Sequence, residues 1–289
     1  MHFMRRAIAL GAFDGLHTAH MAVLETAARQ VGHRPAVLLF DQHPLQALTG
    51  RAPPRLLTEE DRDGILRGLG LEILYATFSE LMDMPPQAFF EDILLGRFNA
   101  GALCCGYDYS FGAGALGGVE ELRALCGAHD VLLRATPEID YKGTPVSSTR
   151  IRQALREGHP EDANVMLGKP FGYAFPVEAG GRIGRTLGSP TINQAFPLDF
   201  AVPRHGVYAS QALVECGWKP GVTNIGTRPS FTGDELRSET HIIGFAGDLY
   251  GQRVPVRLLR YLRPERKFGD IEELKRQITA DIQNAQAEV

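Results

Sequence analysis

Residues 11–20 are Gly11-Ala-Phe-Asp-Gly-Leu-His-Thr-Ala-His20, and they decide the fold of the first half of the chain. They follow a short apolar run, Ala7–Leu10, and precede a helix-like segment, Met21–Arg29. A strand, a glycine-bearing turn and a helix start form a phosphate site, because unpaired N–H groups and the positive end of the helix dipole face the anion there. His17 and His20 are three residues apart and project from one face of the first helical turn. Two imidazole donors beside a phosphate site indicate phosphoryl or nucleotidyl chemistry.

Apolar runs and helix-like segments alternate through the first half of the chain. The runs of buried-strand length are Ala36–Phe40, Leu71–Tyr75, Ala102–Cys105 and Val131–Arg134. The helical segments are Glu59–Gly68, Pro86–Leu95, Gly118–Cys126 and Ser148–Glu157, with a short helix to Leu167 after the last of these. Such alternation predicts a parallel sheet covered by helices, an α/β domain over residues 1–167.

The pattern changes near Gly168, where glycine and proline turns begin to separate short strand-like pieces. These pieces are Tyr208–Val214, Gly221–Asn224, His241–Phe245 and Val254–Leu262. They predict a small antiparallel barrel or sandwich over residues 168–289. A final helix begins after Asp270, with Glu273 as a capping partner, and its predicted apolar stripe is Ile271, Leu274, Ile278 and Ile282.

The composition describes a globular protein with enough residues for two domains. The chain has 289 residues, of which 44% are hydrophobic and 22% are charged, and its net charge is −4. The acidic balance argues against nucleic acid as the main partner. The chain lacks the run of about 18 apolar residues that a membrane span needs, and its first residues do not resemble a signal peptide.

The four cysteines predict a reducing compartment. They are Cys104, Cys105, Cys126 and Cys216, and none of them forms a C-x-x-C pair. We expect buried, reduced thiols and a cytoplasmic protein.

A second anion-binding helix start lies at Val146-Ser-Ser-Thr-Arg-Ile-Arg152. The hydroxyl residues Ser147, Ser148 and Thr149 stand at the N-terminus of the helix. The planar guanidinium of Arg150 or Arg152 can bind phosphate oxygens with two N–H groups. Taken alone, the same pattern also fits an ordinary capped helix with solvated arginines.

A third polar stretch is Gly180-Gly-Arg-Ile-Gly-Arg-Thr-Leu-Gly-Ser-Pro-Thr-Ile-Asn193. Its glycines let backbone N–H groups curl around an anion, and its arginines add positive charge. Thr191 and Asn193 alternate on an extended segment, so their oxygens point the same way and suit a hard cation such as Mg2+. A mobile basic turn followed by an ordinary strand is the alternative.

Together these motifs resemble the bacterial bifunctional riboflavin kinase/FAD synthetase family. The family's first motif is G-x-F-D-G-x-H-x-G-H and its second is S-S-T-x-I-R; the glycine and arginine stretch resembles G-x-x-x-G-R-x-L-G-F-P-T-A-N. Further matching segments are Gly106–Gly112, Gly206–Ala209, Val222–Pro229, Glu239–Phe245 and Leu262–Phe268. The resemblance covers nearly the whole chain and implies a Rossmann-like nucleotidyltransferase domain followed by a β-barrel kinase domain with a C-terminal helix.

The resemblance also implies two reactions, riboflavin plus ATP to FMN and FMN plus ATP to FAD. It assigns adenylyl transfer to His17, His20 and Arg152, with ATP on Gly11, Phe13, Asp14, Ser148 and Thr149. It assigns flavin contacts to Asp108, Phe111 and Arg263. It assigns the kinase general base to Glu239, kinase ATP contacts to Gly180, Arg182, Gly184, Arg185 and Gly188, and Mg2+ to Thr191 and Asn193. The partners expected are these small molecules, without nucleic acid or membrane, for a monomer or weak homo-oligomer.

Several positions depart from the family pattern. Ala19 stands where the family has glycine, and Gly112–Gly117 lacks the usual basic residues. Three alternatives therefore stay open: a diverged paralogue that uses a modified flavin, a related heterocycle or another nucleotide; a kinase whose first domain is a non-catalytic nucleotide-binding module; and a transition-metal site at Asp14, His17 and His20.

Overall fold

The computed structural model of the chain describes residues 4–178, 191–230 and 233–288. By contacts the chain divides into two compact units, Met1–Ser148 and Thr149–Val289. Among the helices in the described ranges, none combines the length and the apolar character needed to cross a membrane.

The first unit is built on a parallel sheet. Its strands are β1 (Arg6–Leu10), β2 (Arg34–Phe40), β3 (Glu72–Ala76), β4 (Ala100–Gly106) and β5 (Leu132–Thr136), and a small hairpin adds β6 (Asp140–Tyr141) and β7 (Thr144–Pro145). Its helices are α1 (Thr18–Ala28), α2 (Pro44–Thr49), α3 (Glu59–Gly68), α4 (Phe78–Leu81), α5 (Pro86–Ala88) and α6 (Val119–Ala128). The sheet order is β3-β2-β1-β4-β5, with every neighbouring pair parallel. The predicted α/β architecture is confirmed.

Both faces of this sheet are buried at its central strands β1, β2 and β4, which explains why these strands are continuous apolar runs, whereas the edge strand β5 is largely exposed. Successive residues of a strand point to opposite faces. Accordingly Ile8 and Leu10 pack in one core cluster with Phe89, whereas Ala9 packs in the other cluster with Leu24. Parallel sheets covered by helices on both sides have this pattern.

Two helices of the first unit differ from the sequence prediction. Helix α1 starts at Thr18 rather than Met21, because the His17 side chain caps it by accepting a hydrogen bond from the His20 N–H at 3.3 Å. The predicted helix Pro86–Leu95 is a short α5 continued by a π-helix, Phe89–Arg97. Apolar periodicity alone does not distinguish these two helix types.

The second unit contains an antiparallel sheet with helices on either side of it in the chain. Helix α7 (Ser148–Glu157) and α8 (Pro160–Leu167) come first, and α9 (Ile271–Gln286) ends the chain. The strands are β8 (Gly172–Pro176), β9 (Thr191–Ala195), β10 (Gly206–Val214), β11 (Gly217–Ser230), β12 (Gly233–Ile242) and β13 (Arg253–Arg263). Within the described residues, their order β8-β13-β10-β11-β12-β9 forms a nearly closed barrel. The predicted strand His241–Phe245 is wrong in its bounds, since β12 ends at Ile242.

Gln194 helps to close the barrel between its two edge strands. Its side-chain amide donates to the carbonyl of Phe175 on β8 at 2.6 Å and to that of Val254 on β13 at 2.8 Å. The interior is filled by an aromatic group that includes Phe171, Tyr173 and Phe196. These rings are buried and pack against one another in the barrel core.

The C-terminal helix has the predicted cap. The Asp270 carboxylate accepts from the Glu273 N–H at 2.7 Å, and the Glu273 carboxylate accepts from the Gly269 N–H at 3.0 Å. One member of the predicted apolar stripe is misplaced: Ile271 is 62% exposed because it lies at the first turn of the helix.

All four cysteines are free, as expected. Cys104, Cys105 and Cys126 are buried, and burial raises the pKa of Cys104 to about 12 and that of Cys105 to about 11. The expectation of burial is wrong for Cys216, which is exposed after β10.

Candidate functional sites

The turn after β1 has an unusual backbone that its sequence explains. Phe13, Gly15 and Leu16 have positive φ values of 49°, 80° and 47°. Two reasons call for glycine at position 15. Its positive φ favours glycine, and a β-carbon at this position would lie only 2.8 Å from Leu56 Cδ1. Phe13 is fully buried. Its ring therefore anchors the turn in the core.

Asp14 connects this turn to two distant segments. Its carboxylate accepts a hydrogen bond from the Leu56 N–H at 3.1 Å, and its backbone carbonyl accepts one from the Ser148 hydroxyl at 2.8 Å. The glycine turn and Ser148, the last residue of the first unit, are therefore in contact. Ser148 is separated from Asp14 by 134 positions.

The two histidines lie together at the start of α1, as their spacing predicts. The rings of His17 and His20 stack with centroids 3.6 Å apart and an interplanar angle of 17°. Burial, with a smaller contribution from His17, holds the pKa of His20 well below its ordinary value. His20 is therefore a neutral imidazole at pH 7, and its Nδ1 is buried without a partner among the described residues. A neutral ring still offers one N–H donor.

Ala19 occupies a position that does not require glycine in this chain. It lies inside α1, and it is absent from the residues with positive φ in the part of the chain that the structure describes. The methyl group is thus accommodated without a change of backbone conformation.

The metal-ion alternative for this turn is not supported. No group of three or more His, Cys, Asp or Glu side chains that could hold a metal is found within the described ranges. The carboxylate of Asp14 is instead occupied by the Leu56 N–H.

A second loop follows β4 and lies beside the first turn. In an open parallel sheet, ligands bind at the carboxyl ends of the strands where the strand order reverses. That reversal lies between β1 and β4, which end at Leu10 and Gly106. Asp108 is exposed on the loop after β4. Phe111 is 6% exposed and stacks with Tyr109 at 5.9 Å, so its ring supports the loop from the core.

An open cavity of about 620 Å3 lies at the carboxyl ends of β4 and β5. Its apolar lining includes Tyr107, Leu116 and Val119, and Leu116 is 79% exposed. The lining is mixed in character, because the charged residues Glu120, Glu121 and Arg123 also belong to it.

Thr149 and Arg152 follow Ser148 on α7. Ser148 and Arg152 are four residues apart, so they lie on one face of the helix. Arg152 is only 8% exposed, which is unusual for an arginine and reflects a specific environment.

In the second unit, three polar residues form a row across neighbouring strands. Glu239 on β12 pairs in register with Asn193 on β9, and on its other side with Asn224 on β11. Residues directly opposite one another in an antiparallel sheet share a face, with Cβ atoms about 4.5–5.5 Å apart. Within the described ranges, the Glu239 carboxylate has no hydrogen bond or ion pair. It is therefore available to accept a proton.

The residues predicted to hold Mg2+ fit that ion. Asn193 is 5% exposed, and its Oδ1 is buried without a partner among the described residues. Such an orphan oxygen needs a donor or a cation. Thr191 is two positions away on β9 and therefore faces the same side. The predicted ATP contacts Gly180, Arg182, Gly184, Arg185 and Gly188 lie outside the described residues.

Arg263 has a structural partner that the sequence did not reveal. Its guanidinium binds the Asp281 carboxylate of α9 with Nε 3.1 Å from Oδ1 and Nη2 2.7 Å from Oδ2. Two other residues missed by the sequence reasoning are Asn224 and Glu265, which are joined by a 2.9 Å hydrogen bond. The only local signal for Asn224 was its place in the motif 222–229.

The chain matches two protein-family models. Residues 2–150 match the model described as FAD synthetase, and residues 167–289 match the one described as riboflavin kinase. The two models account for most of the chain.

Curated relatives have the same two-part character. A protein of Listeria monocytogenes named bifunctional riboflavin kinase/FMN adenylyltransferase is 34% identical, with 98% of this chain and 92% of that protein covered. A protein of the same name from Escherichia coli K12 is 35% identical, with 95% of this chain and 90% of that protein covered. Another from Bacillus subtilis 168 is 34% identical, with 97% of this chain and 92% of that protein covered.

A solved structure shares the fold. It is described as a macrolide-efflux protein from Streptococcus pneumoniae, and it matches with a TM-score of 0.88 and 29% identity. The match covers 98% of this chain and 94% of that chain.

Proposed function

The chain belongs to the family of bifunctional riboflavin kinase/FMN adenylyltransferases, and from this membership we propose how its residues carry the two reactions. It is an enzyme that phosphorylates riboflavin with ATP to give FMN and adenylylates FMN with ATP to give FAD. The observation that carries this function is that the matches to both family models and to the bifunctional relatives together span nearly the full chain.

We assign adenylyl transfer to residues 1–167 and riboflavin phosphorylation to residues 168–289. The family model for riboflavin kinase begins at residue 167, which supports this division. The FAD synthetase model ends at residue 150, and the compact units divide after Ser148. Most of α7 and α8 lies between the ranges of the two family models.

In adenylyl transfer, an oxygen of the FMN phosphate attacks the α-phosphorus of ATP, and the bond from that phosphorus to the β-phosphate oxygen breaks. Pyrophosphate leaves with the electron pair. The FMN phosphate is already an anion, so the enzyme need only align the groups and stabilise the charge that develops. His17, His20 and Arg152 are the proposed donors. His20 acts as a neutral N–H donor, because its pKa is lowered.

The nucleotide of this reaction is proposed to bind along the backbone of the first turn. The carboxylate of Asp14 is used within the protein and Phe13 is buried, so these two residues contribute through the backbone shape that they fix. Gly11 precedes them, and Ser148 and Thr149 add the N-terminus of α7.

For the flavin, we propose that Asp108 lies at the edge of the ring site and that Phe111 supports this loop from below. The open apolar surface of Tyr107 and Leu116 suits the isoalloxazine ring. In the second domain, Arg263 is proposed to act on the flavin through the position of α9.

In the kinase reaction, Glu239 is the proposed general base. It accepts the proton of the terminal ribityl hydroxyl while that oxygen attacks the γ-phosphorus, and ADP leaves with the bridging oxygen. Such positioned proton transfer contributes about 10²–10⁴-fold. Gly180, Arg182, Gly184, Arg185 and Gly188 are proposed ATP contacts. Thr191 and Asn193 would hold Mg2+, which neutralises charge on the transferred phosphoryl group when bound.

We further propose a cytoplasmic protein that is a monomer or weak homo-oligomer and has no nucleic-acid partner. The four free cysteines support a reducing compartment, and the net charge of −4 gives nucleic acid no electrostatic attraction.

The test is chromatographic product analysis with riboflavin, ATP and Mg2+. We expect the intact protein to form FMN and then FAD, and His17→Ala to stop at FMN. Glu239→Ala is expected to make no FMN but to convert supplied FMN to FAD. The matched controls His33→Ala and Glu215→Gln change residues outside both sites.

Two results would overturn the assignment. Loss of both steps in either single variant would contradict two separate sites. FMN that never advances to FAD in the intact protein would favour a first domain that binds nucleotide without catalysis.

A further inference from the structure

Asn224 is the one member of the polar row that neither proposed reaction uses. It lies next to Glu239 on the side opposite Asn193, because the strand order is β11-β12-β9. Asn224 and Asn193 are thus the two cross-strand neighbours of the proposed base. A group bound at the Asn224 amide would therefore lie beside Glu239, on the side away from Asn193.

The orientation of the Asn224 amide is set by Glu265. Asn224 Nδ2 donates to Glu265 Oε1 at 2.9 Å, which leaves Oδ1 as the free end of the amide. That oxygen is buried and has no hydrogen-bond partner among the described residues. Gly226 allows the arrangement, since a β-carbon at that position would overlap the Glu265 carboxylate.

The backbone positions of Asn224 and Asn193 lie two strands apart, which disfavours one cation shared by both side chains. Neighbouring strands lie about 4.8 Å apart, so residues two strands apart in one row are separated by roughly 9–10 Å. Oxygen ligands lie only about 2.1 Å from Mg2+. The orphan oxygen therefore needs a hydrogen-bond donor, and Glu239 cannot supply one while it is ionised.

We propose that Asn224, held by Glu265, forms a hydroxyl-accepting subsite that binds the polyol chain of the phosphoryl acceptor beside Glu239. This inference rests on the proposed kinase function. The terminal hydroxyl of the ribityl chain donates to Glu239, and the hydroxyl on the neighbouring carbon donates to Asn224 Oδ1. The phosphoryl donor then lies on the Asn193 side of the base and the acceptor on the Asn224 side.

The first experiment measures steady-state riboflavin phosphorylation by the full-length protein. We expect Asn224→Ala to raise the KM for riboflavin about tenfold and to change the KM for ATP less than twofold. Conversion of supplied FMN to FAD should be unchanged. Thr227→Ala, on an exposed position of the same strand, is the matched control and should match the intact protein.

A second pair of variants tests the positioning role of Glu265. Glu265→Gln keeps an oxygen that can accept from Asn224 Nδ2, whereas Glu265→Ala removes it. We expect Glu265→Gln to retain a normal KM for riboflavin and Glu265→Ala to raise it severalfold. Equal effects of both variants would contradict the role of the hydrogen bond.

The third measurement separates a direct contact from a loss of structure. With the intact protein, a riboflavin analogue that lacks the 4′-hydroxyl should have a kcat/KM about tenfold below that of riboflavin. With Asn224→Ala, riboflavin and the analogue should differ less than threefold, because the acceptor of that hydroxyl is gone. A tenfold preference that persists in the variant would overturn the subsite, whatever the variant does to stability.

The same experiments distinguish failure of this inference from failure of the proposed function. If the intact protein makes no FMN from riboflavin, the kinase assignment fails and the subsite fails with it. If the intact protein makes FMN while Asn224→Ala leaves the KM for riboflavin unchanged, only the subsite is wrong.

Discussion

The guanidinium of Arg263 donates two hydrogen bonds to the carboxylate of Asp281, from Nε to Oδ1 at 3.1 Å and from Nη2 to Oδ2 at 2.7 Å. Asp281 is 3% exposed and also accepts from the Gln277 side chain at 2.8 Å. A bidentate pair of this kind fixes direction as well as distance. It joins the end of β13 to α9, and thereby fixes the helix that follows the 264–268 segment.

Breaking this pair should loosen the second unit. Asp281→Ala leaves the largely buried Arg263 guanidinium without its ion-pair partner, so we expect the free energy of unfolding to fall by about 3 kcal/mol. Unfolding in urea is followed by the fluorescence of Trp218, which is the one tryptophan of the chain and lies on β11. Lys275→Ala breaks an exposed pair on the same helix and should cost less than about 0.5 kcal/mol. Equal losses in the two variants would contradict the role of the Arg263 pair.

Ser148→Ala should affect one reaction only. The variant loses the hydrogen bond to the Asp14 carbonyl, so the start of α7 is no longer fixed to the glycine turn. A small misplacement of groups that align substrates is costly. We expect FAD formation from supplied FMN to fall about tenfold, with riboflavin phosphorylation unchanged. The control is Thr49→Ala, which removes an exposed hydroxyl elsewhere in the first unit. A similar decrease of FAD formation in Thr49→Ala would show that the Ser148–Asp14 hydrogen bond is not the cause.

The stability of the first unit should decline in mild acid because of His20. Its pKa is lowered in the folded protein, whereas the unfolded chain titrates near pH 6.5. Below that pH the unfolded state binds more protons, so the free energy of unfolding falls as the pH drops, until the folded-state pKa is reached. The slope is at most about 1.4 kcal/mol per pH unit. His20→Asn should flatten the profile between pH 6.5 and 5, and an unchanged slope would show that another group is responsible.

Ala19→Gly should cost stability without improving ATP binding. The residue is helical in α1, where glycine is worse than alanine by about 0.5–1 kcal/mol. We expect this decrease in the free energy of unfolding, measured by thermal or urea unfolding. The matched control is Ala22→Gly in the same helix, which should cost a similar amount. The KM for ATP in FAD formation should change less than threefold. A tenfold decrease of this KM would instead show that the Ala19 methyl group crowds the phosphates.

Asn193→Ala should change how the kinase depends on Mg2+. Removing the orphan amide oxygen takes away a proposed ligand, so the Mg2+ concentration for half-maximal riboflavin phosphorylation should rise at least tenfold. FAD formation by the same protein is the internal control, and its Mg2+ dependence should be unaltered. If the Mg2+ midpoint for phosphorylation stays constant, the cation is held elsewhere.

Local patterns predicted most elements of the first unit because buried strands and capped helices are encoded over a few residues. Helix α3 occurs at the predicted Glu59–Gly68, and the strand from Ala36 appears as the longer β2. The prediction failed where local signals are ambiguous. An imidazole is an uncommon cap, so the apolar pattern gave Met21 as the first residue of the helical segment although α1 starts at Thr18. Apolar spacing also did not reveal the π-helix Phe89–Arg97.

In the candidate sites, too, the sequence predicted contacts between residues close in the chain and missed contacts between distant ones. The sequence placed His17 beside His20 and Thr191 beside Asn193, since each pair is only two or three positions apart on a regular element. It did not assign a role to Asn224 or Asp281, whose partners Glu265 and Arg263 lie 41 and 18 positions away.

By itself, the sequence determined the two-part architecture, the glycine-bearing turn between β1 and α1 and the family to which the chain is similar. These features depend on short-range periodicity, on glycine at fixed turns and on motifs in one order. Only the tertiary structure decided that Ser148 reaches Asp14 and that Asn193, Glu239 and Asn224 form one row. Strand order and register bring such residues together, and they follow from packing of the whole barrel rather than from any local run of residues.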